Sequence, residues 1–197
     1  MKPTVKVIVT SYNGADSHRF VSDLSEIEVG NQERKIPDPF SPTKEEATLW
    51  MQVGRVEWEN VIVQMQNLGA RRRYDFIWPV LLPEVYGVIV LADMQDGENW
   101  QATRMLLRLF KMMAYRNCLV AIKRAPALSA QEFRAMSAQL ETEYTLTTYA
   151  PDDKESMANV LRAWLKIVPP PDEPVRRRGR NAGRSRETQD VLPSNPD

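Results

Sequence analysis

Val5-Lys6-Val7-Ile8-Val9-Thr10, then Ser11-Tyr12-Asn13-Gly14-Ala15-Asp16-Ser17-His18, then the apolar positions of Phe20 to Ile27: this stretch decides how the 197-residue chain folds. The β-branched run reads as a buried first strand. Phe20, Val21, Leu24 and Ile27 recur at three and four, which predicts a helix over 18–27. The loop between them lies where a phosphate-binding loop stands in an α/β chain. Such a loop needs G-x-x-x-x-G-K-[ST]: glycines let backbone N–H groups close on phosphates, lysine adds charge, and the last hydroxyl ligates Mg²⁺. Aligned on the expected helix start, Ser11, Asp16, Ser17 and His18 stand at those four positions, and only Gly14 keeps a permissive backbone.

Asp16 is the most costly of these replacements. A carboxylate about 5 Å from a phosphate charge costs roughly 3 kcal/mol at an effective dielectric near 20. Beside this reading stands a plainer one, an ordinary strand-to-helix loop whose Asp16 or Ser17 caps the helix. His18 is the only histidine. No second histidine or cysteine pair completes a transition-metal site around it, and no serine or cysteine nucleophile motif accompanies it.

With 43% hydrophobic residues, the chain is long enough for one buried domain and short for two. Its formal net charge of zero gives no global field that selects nucleic acid. The single cysteine, Cys118, opens an apolar run and fits a buried structural thiol in a reducing compartment. Met-Lys-Pro-Thr is not an apolar signal segment, so the expected location is the cytoplasm. No stretch reaches the length of a membrane-spanning helix.

Strands are predicted at 4–10, 48–58, 61–66, 85–92, 118–123 and 144–150, with helices at 18–27, 74–82, 99–116, 129–141 and 153–168. Glu59-Asn60 separates the second and third runs by two residues, which predicts a hairpin. The expected fold class is therefore α/β, a six-stranded, mostly parallel sheet with one antiparallel strand and helices on both faces. The polar stretch from Gly30 to Glu46, broken by Pro37, Pro39 and Pro42, reads as a long loop. Pro169-Pro170-Pro171 ends the last helix, giving a domain over 1–168 and a Pro/Arg-rich, disordered tail over 169–197.

The strand and loop Val5 to Asn13, the run Phe20 to Glu28, the Ala47 to Gly54 pattern, Tyr74-Asp75-Phe76-Ile77-Trp78 and Gly87 to Asp93 together resemble the bacterial Ras-like small GTPases of the gliding-motility and Rab-like ATP/GTP-binding type. The resemblance covers 5–168 and implies a Ras-like P-loop NTPase fold. It implies the Gly30 to Glu46 stretch as the switch I position. Four functional motifs of that family are altered. Besides the first loop, the D-x-x-G position reads Asn67-Leu68-Gly69-Ala70, and Asn cannot replace a Mg²⁺-holding carboxylate. The base-reading [NT]-K-x-D position reads Lys123-Arg124-Ala125-Pro126, and Pro126 offers no acceptor pair for guanine. The last base-contact position reads Tyr149-Ala150-Pro151.

Joint loss of phosphate, magnesium and base recognition implies a degenerate pseudo-GTPase, not an enzyme, with no cofactor and no metal. The expected role is a protein-interaction or regulatory module in a bacterial small-GTPase signalling system. By resemblance its partner is an authentic small GTPase or a Roadblock-like regulator, met through Trp58, Arg71, Arg72, Arg73 and Tyr74. The arginine run reads equally as solvated charge. Trp58, beside the hairpin turn, is the tryptophan expected to be exposed.

Two alternatives remain open. One is an atypical GTPase that still binds GTP or ATP with Mg²⁺ through a non-standard loop, using Gly14, Ser17, Thr48 and Asp93. The other is an adaptor tethered to an anionic surface by its tail, whose six arginines fall within the eleven positions from Arg176 to Arg186. That tail lacks aromatic interleaving, which argues against nucleic-acid recognition. The apolar arc of the 99–116 helix (Met105, Leu106, Leu109, Phe110, Met112 and Met113) reads as core, with part of it available to a partner.

Overall fold

A computed structural model of the chain describes residues 2–37, 46–69, 77–124, 131, 134–135, 138, 140 and 144–168. Arg71, Arg72, Arg73, Tyr74 and Pro126, most of the helix expected over 129–141, and the 169–197 tail lie outside the described residues.

The Val-Ile run forms β1 (Thr4–Ser11), and its alternate side chains enter two separate cores. After a three-residue turn comes α1 (Ala15–Leu24). It starts three residues earlier than expected and stops before Ile27, which is 51% exposed. Next come β2 (Gly30–Pro37), β3 (Glu46–Trp58) and β4 (Val61–Gly69). They are followed by the short α2 (Trp78–Leu81) with a 3₁₀ turn, then β5 (Gly87–Ala92), α3 (Gly97–Met112), β6 (Cys118–Lys123), β7 (Thr145–Tyr149) and α4 (Lys154–Leu165).

Among the described residues the sheet has seven strands in the order β2-β3-β4-β1-β5-β6-β7. The expected count of six is corrected by β2, which lies in the stretch read as a loop. Only β3 runs against the rest: it is antiparallel to β2 and β4, whereas β4, β1, β5, β6 and β7 pair in parallel. The predicted hairpin forms at Glu59-Asn60, where Glu59 adopts a left-handed φ of 49°.

β2 escaped the sequence reading because Ile36 is the one buried apolar side chain described on it. Its order comes from the backbone ladder to β3 and from Arg34, whose guanidinium makes a forked pair with Glu84 at 2.6 Å on both arms. That hydrogen-bonded pair holds the Glu84 carboxyl below its ordinary range, against the opposing effect of partial burial.

Helices cover both faces. Ile8, Leu68, Val88, Val90, Val120 and Ile122 meet Trp78, Leu81, Leu106 and Phe110 of α2 and α3. On the other face Val7, Val9, Val63, Met65, Leu119 and Ala121 meet Phe20, Val21 and Leu24 of α1 and Met157, Leu161 and Trp164 of α4. Among the described residues no helix is long and apolar enough to cross a membrane.

This packing can be tested at two positions. Gly54 of β3 lies directly under α1: a Cβ there would sit 2.8 Å from Val21 Cγ1 and 3.0 Å from Ser25 Cβ. Gly54→Ala is expected to destabilise the domain by about 1–3 kcal/mol in denaturant titration, because the helix sits too close to the strand to make room. At the second position, burial pushes the Cys118 thiol up, and burial followed by the neighbouring Cys118 pushes the Tyr115 phenol up. Both groups keep their protons in the folded chain after the unfolded chain has released them. Stability is therefore intact below the unfolded thiol value of about 8.5, falls as pH rises above it, and falls more steeply above about 10. In thermal melts over that range Cys118→Ala should flatten the first part of the decline; an unchanged slope would contradict the assignment.

Candidate functional site

The carboxyl ends of the parallel strands gather Ser11, Asn13, Gly14, Asp16, Ser17, Asp93 and Lys123. β1 delivers Ser11, and the turn Tyr12-Asn13-Gly14 leads straight into the first turn of α1. Gly14 has a φ of 75°, the left-handed conformation that favours glycine in so short a turn. Asp16, Ser17 and His18 lie in the first turn of that helix.

A helix N-terminus attracts anions because its first N–H groups have no partner in the helix. Here the chain supplies partners. Ala15 N–H donates to Asn13 Oδ1 at 3.1 Å, and Ser17 N–H donates to Ser11 Oγ at 3.1 Å. Ser11 and Ser17 hydroxyls lie 2.9 Å apart, and Ser17 Oγ donates to the Gly14 carbonyl at 3.1 Å. The acceptors for the first turn are thus the side chains of Asn13 and Ser11, not Asp16 or Ser17 as the plainer sequence reading had it. The reason is the early start of α1, which carries Asp16 and Ser17 past the capping position.

Asp16 turns instead toward the far side of the sheet. Lys123, the last residue of β6, places its ammonium 3.2 Å from Asp93 and 3.7 Å from Asp16. Burial lowers the affinity of that ammonium for its proton, but Asp16 and Asp93 outweigh it and leave Lys123 above its ordinary value. Tyr149 donates its hydroxyl to Asp16 at 3.3 Å, and burial together with the Asp16 charge pushes its own ionisation up. Among the described residues, two carboxylates against one ammonium leave this cluster one negative charge in excess. The Asp93 N–H is itself anchored by Asn99 Oδ1 at 3.0 Å, and Asp96 caps α3 through Glu98 and Asn99 N–H. Tyr12 reaches across to the same helix start, its hydroxyl 3.3 Å from Glu98.

On the other side of α1, His18 Nδ1 lies 2.6 Å from Gln52 Oε1, which also accepts from Asn67 Nδ2 at 2.8 Å. The two positions aligned with magnesium-holding groups are thereby tied to each other through an uncharged amide. Among the described residues no group of three or more His, Cys, Asp or Glu is arranged to hold a metal ion. Thr48 pairs with Lys35 on the β2–β3 ladder, and no hydrogen bond among the described residues joins it to Gly14 or Ser17.

Gln52 is the participant that sequence reasoning missed. Its signal was a polar residue at an inward position of β3, two residues from Gly54. Trp58 is not the exposed tryptophan: it is partly buried against the α1/α4 core, with the Arg162 guanidinium 4.8 Å over its ring. Trp50, 65% exposed on the same strand, is.

No family profile matches the sequence, and no curated protein does. The structure is similar to that of the Arl6 BBS3 small GTPase from Trypanosoma brucei with bound nucleotide analogue GppNp. The TM-score is 0.57 at 9% identity, covering 83% of this chain and 96% of that one. The α/β architecture built above is thus the Ras-like fold of small GTPases.

Proposed function

We propose that this chain is a Ras-like domain that does not take up guanine nucleotide and acts by binding another protein. The observation that carries the reading is the self-capped first turn of α1. Its Ala15 and Ser17 N–H groups are spent on Asn13 and Ser11, while Asp16 and Asp93 share one lysine beside it. A nucleoside di- or triphosphate entering here would have to break those bonds and approach a net negative charge. The magnesium-side positions, His18 and Asn67, supply no carboxylate to hold a Mg²⁺ whose charge would offset that cost.

What survives is a rigid, helix-covered sheet with addressable surfaces, which suits a regulatory module in a small-GTPase system of bacterial type. An authentic GTPase or a Roadblock-like regulator is the partner class that the sequence resemblance implies. The exposed Trp50 takes the place of Trp58 as the aromatic anchor of the contact face.

Thermal melts of the full chain with GTP, GDP and ATP, with and without Mg²⁺, test this reading. A ligand at one hundred times its dissociation constant adds about 2.7 kcal/mol, or roughly 5–10 °C for a chain of this size. No shift is expected with any of the three. A Mg²⁺-dependent rise of that order would overturn the proposal and restore an atypical nucleotide-binding GTPase.

A further inference from the structure

β2 is the edge of the sheet, and every second residue along it directs its N–H and C=O away from β3, with no strand among the described residues to receive them. An edge of this kind is usually blunted by charged side chains, proline or a bulge. Here the two exposed charges on one face are of opposite sign. Glu33 and Lys35 share one face of the strand, opposite Trp50 and Thr48 of β3, and neither has an ion-pair partner among the described residues.

We propose that β2 pairs with β2 of a second copy of this chain, antiparallel and about a two-fold axis through Arg34, joining two sheets into one. In a continuous sheet, opposed residues lie on the same face, so the register can shift only in steps that preserve face. With Arg34 at the axis, Glu33 of each copy stands opposite Lys35 of the other, and the two-fold makes the pair twice. A shift one way sets Glu33 against Glu33, and a shift the other way sets Lys35 against Lys35. Only the central register is complementary.

The like charges brought together at the axis are already neutralised. Each Arg34 lies on the opposite face from Glu33 and Lys35, forked onto its own Glu84 at 2.6 Å. Trp50, one strand inward on the Glu33 face, flanks the junction. This surface is distinct from the residues at the carboxyl ends of the strands, so the pairing stands or falls independently of nucleotide binding.

Sedimentation velocity of the full chain over a concentration series tests the pairing, using Glu33→Lys and Lys35→Glu, each checked for wild-type circular dichroism. In the Glu33→Lys homodimer the introduced lysine faces Lys35 of the other copy, and in the Lys35→Glu homodimer the introduced glutamate faces Glu33. Each variant alone should weaken the dimer about tenfold or more. Mixed in equal amounts, the two variants restore opposite charges at both positions and should associate as tightly as the wild type. A wild-type chain that stays monomeric at every concentration would overturn the proposal and leave the edge to a strand of another protein. So would single variants that self-associate undiminished, or a mixture no tighter than its components.

Discussion

The hydroxyl of Ser11, at the last position of β1, accepts the Ser17 N–H and contacts the Ser17 hydroxyl, and the arrangement at the carboxyl end of the sheet depends on that tie. It draws the first turn of α1 onto the end of the central strand and shortens the connection to three residues. With the loop this short, Asp16 is carried into the helix and faced across to Lys123, while His18 is faced to Gln52 on β3. One hydrogen-bonded serine pair thus sets where a carboxylate and an imidazole stand on either side of the helix start. The Ser11 and Ser17 side chains that make it are buried, so solvent does not compete for these bonds.

The consequence is electrostatic as much as steric. A helix N-terminus and a neighbouring lysine form an anion site when both are free. In this chain the Ala15 and Ser17 N–H groups are used by neutral acceptors, and the lysine is held by two carboxylates. Among the described residues, the helix start and its lysine are thus engaged within the chain, with two carboxylates against one ammonium. The fold does not rest on that cluster: of Asp16, Asp93, Lys123 and Tyr149, only the Tyr149 ring belongs to the two cores that hold the sheet.

Much of the frame was legible in the sequence. Buried parallel strands announce themselves through runs such as Val88 to Ala92 and Cys118 to Ile122, because both faces of each strand are apolar. The Glu59-Asn60 hairpin was legible as a two-residue break between alternating runs. β2 was not, since an edge strand held by its ladder and by the Arg34–Glu84 fork can form with little apolar contact beyond that of Ile36. The early start of α1 was hidden too. Ala15, Asp16 and Ser17 carry no apolar stripe, and the acceptors that start the helix belong to side chains two and six residues before the N–H groups they satisfy. Trp58 was misjudged because its cover, Arg162, is distant in sequence. The cluster of Asp16, Asp93, Lys123 and Tyr149 joins a helix start, a loop and two strand ends, and its parts were visible singly while their convergence required the topology.

At the α1 N-terminus the Ala15 and Ser17 N–H groups are already taken by the chain's own acceptors. The most direct measurement is a titration of the ¹⁵N-labelled full chain with GDP and Mg²⁺, and then with GTP, following the backbone amide resonances of Ala15, Asp16 and Ser17. The account predicts that these resonances stay where they are at millimolar nucleotide. Saturable shifts centred on Tyr12 to His18 would show that the cap opens to admit phosphate, and would contradict it.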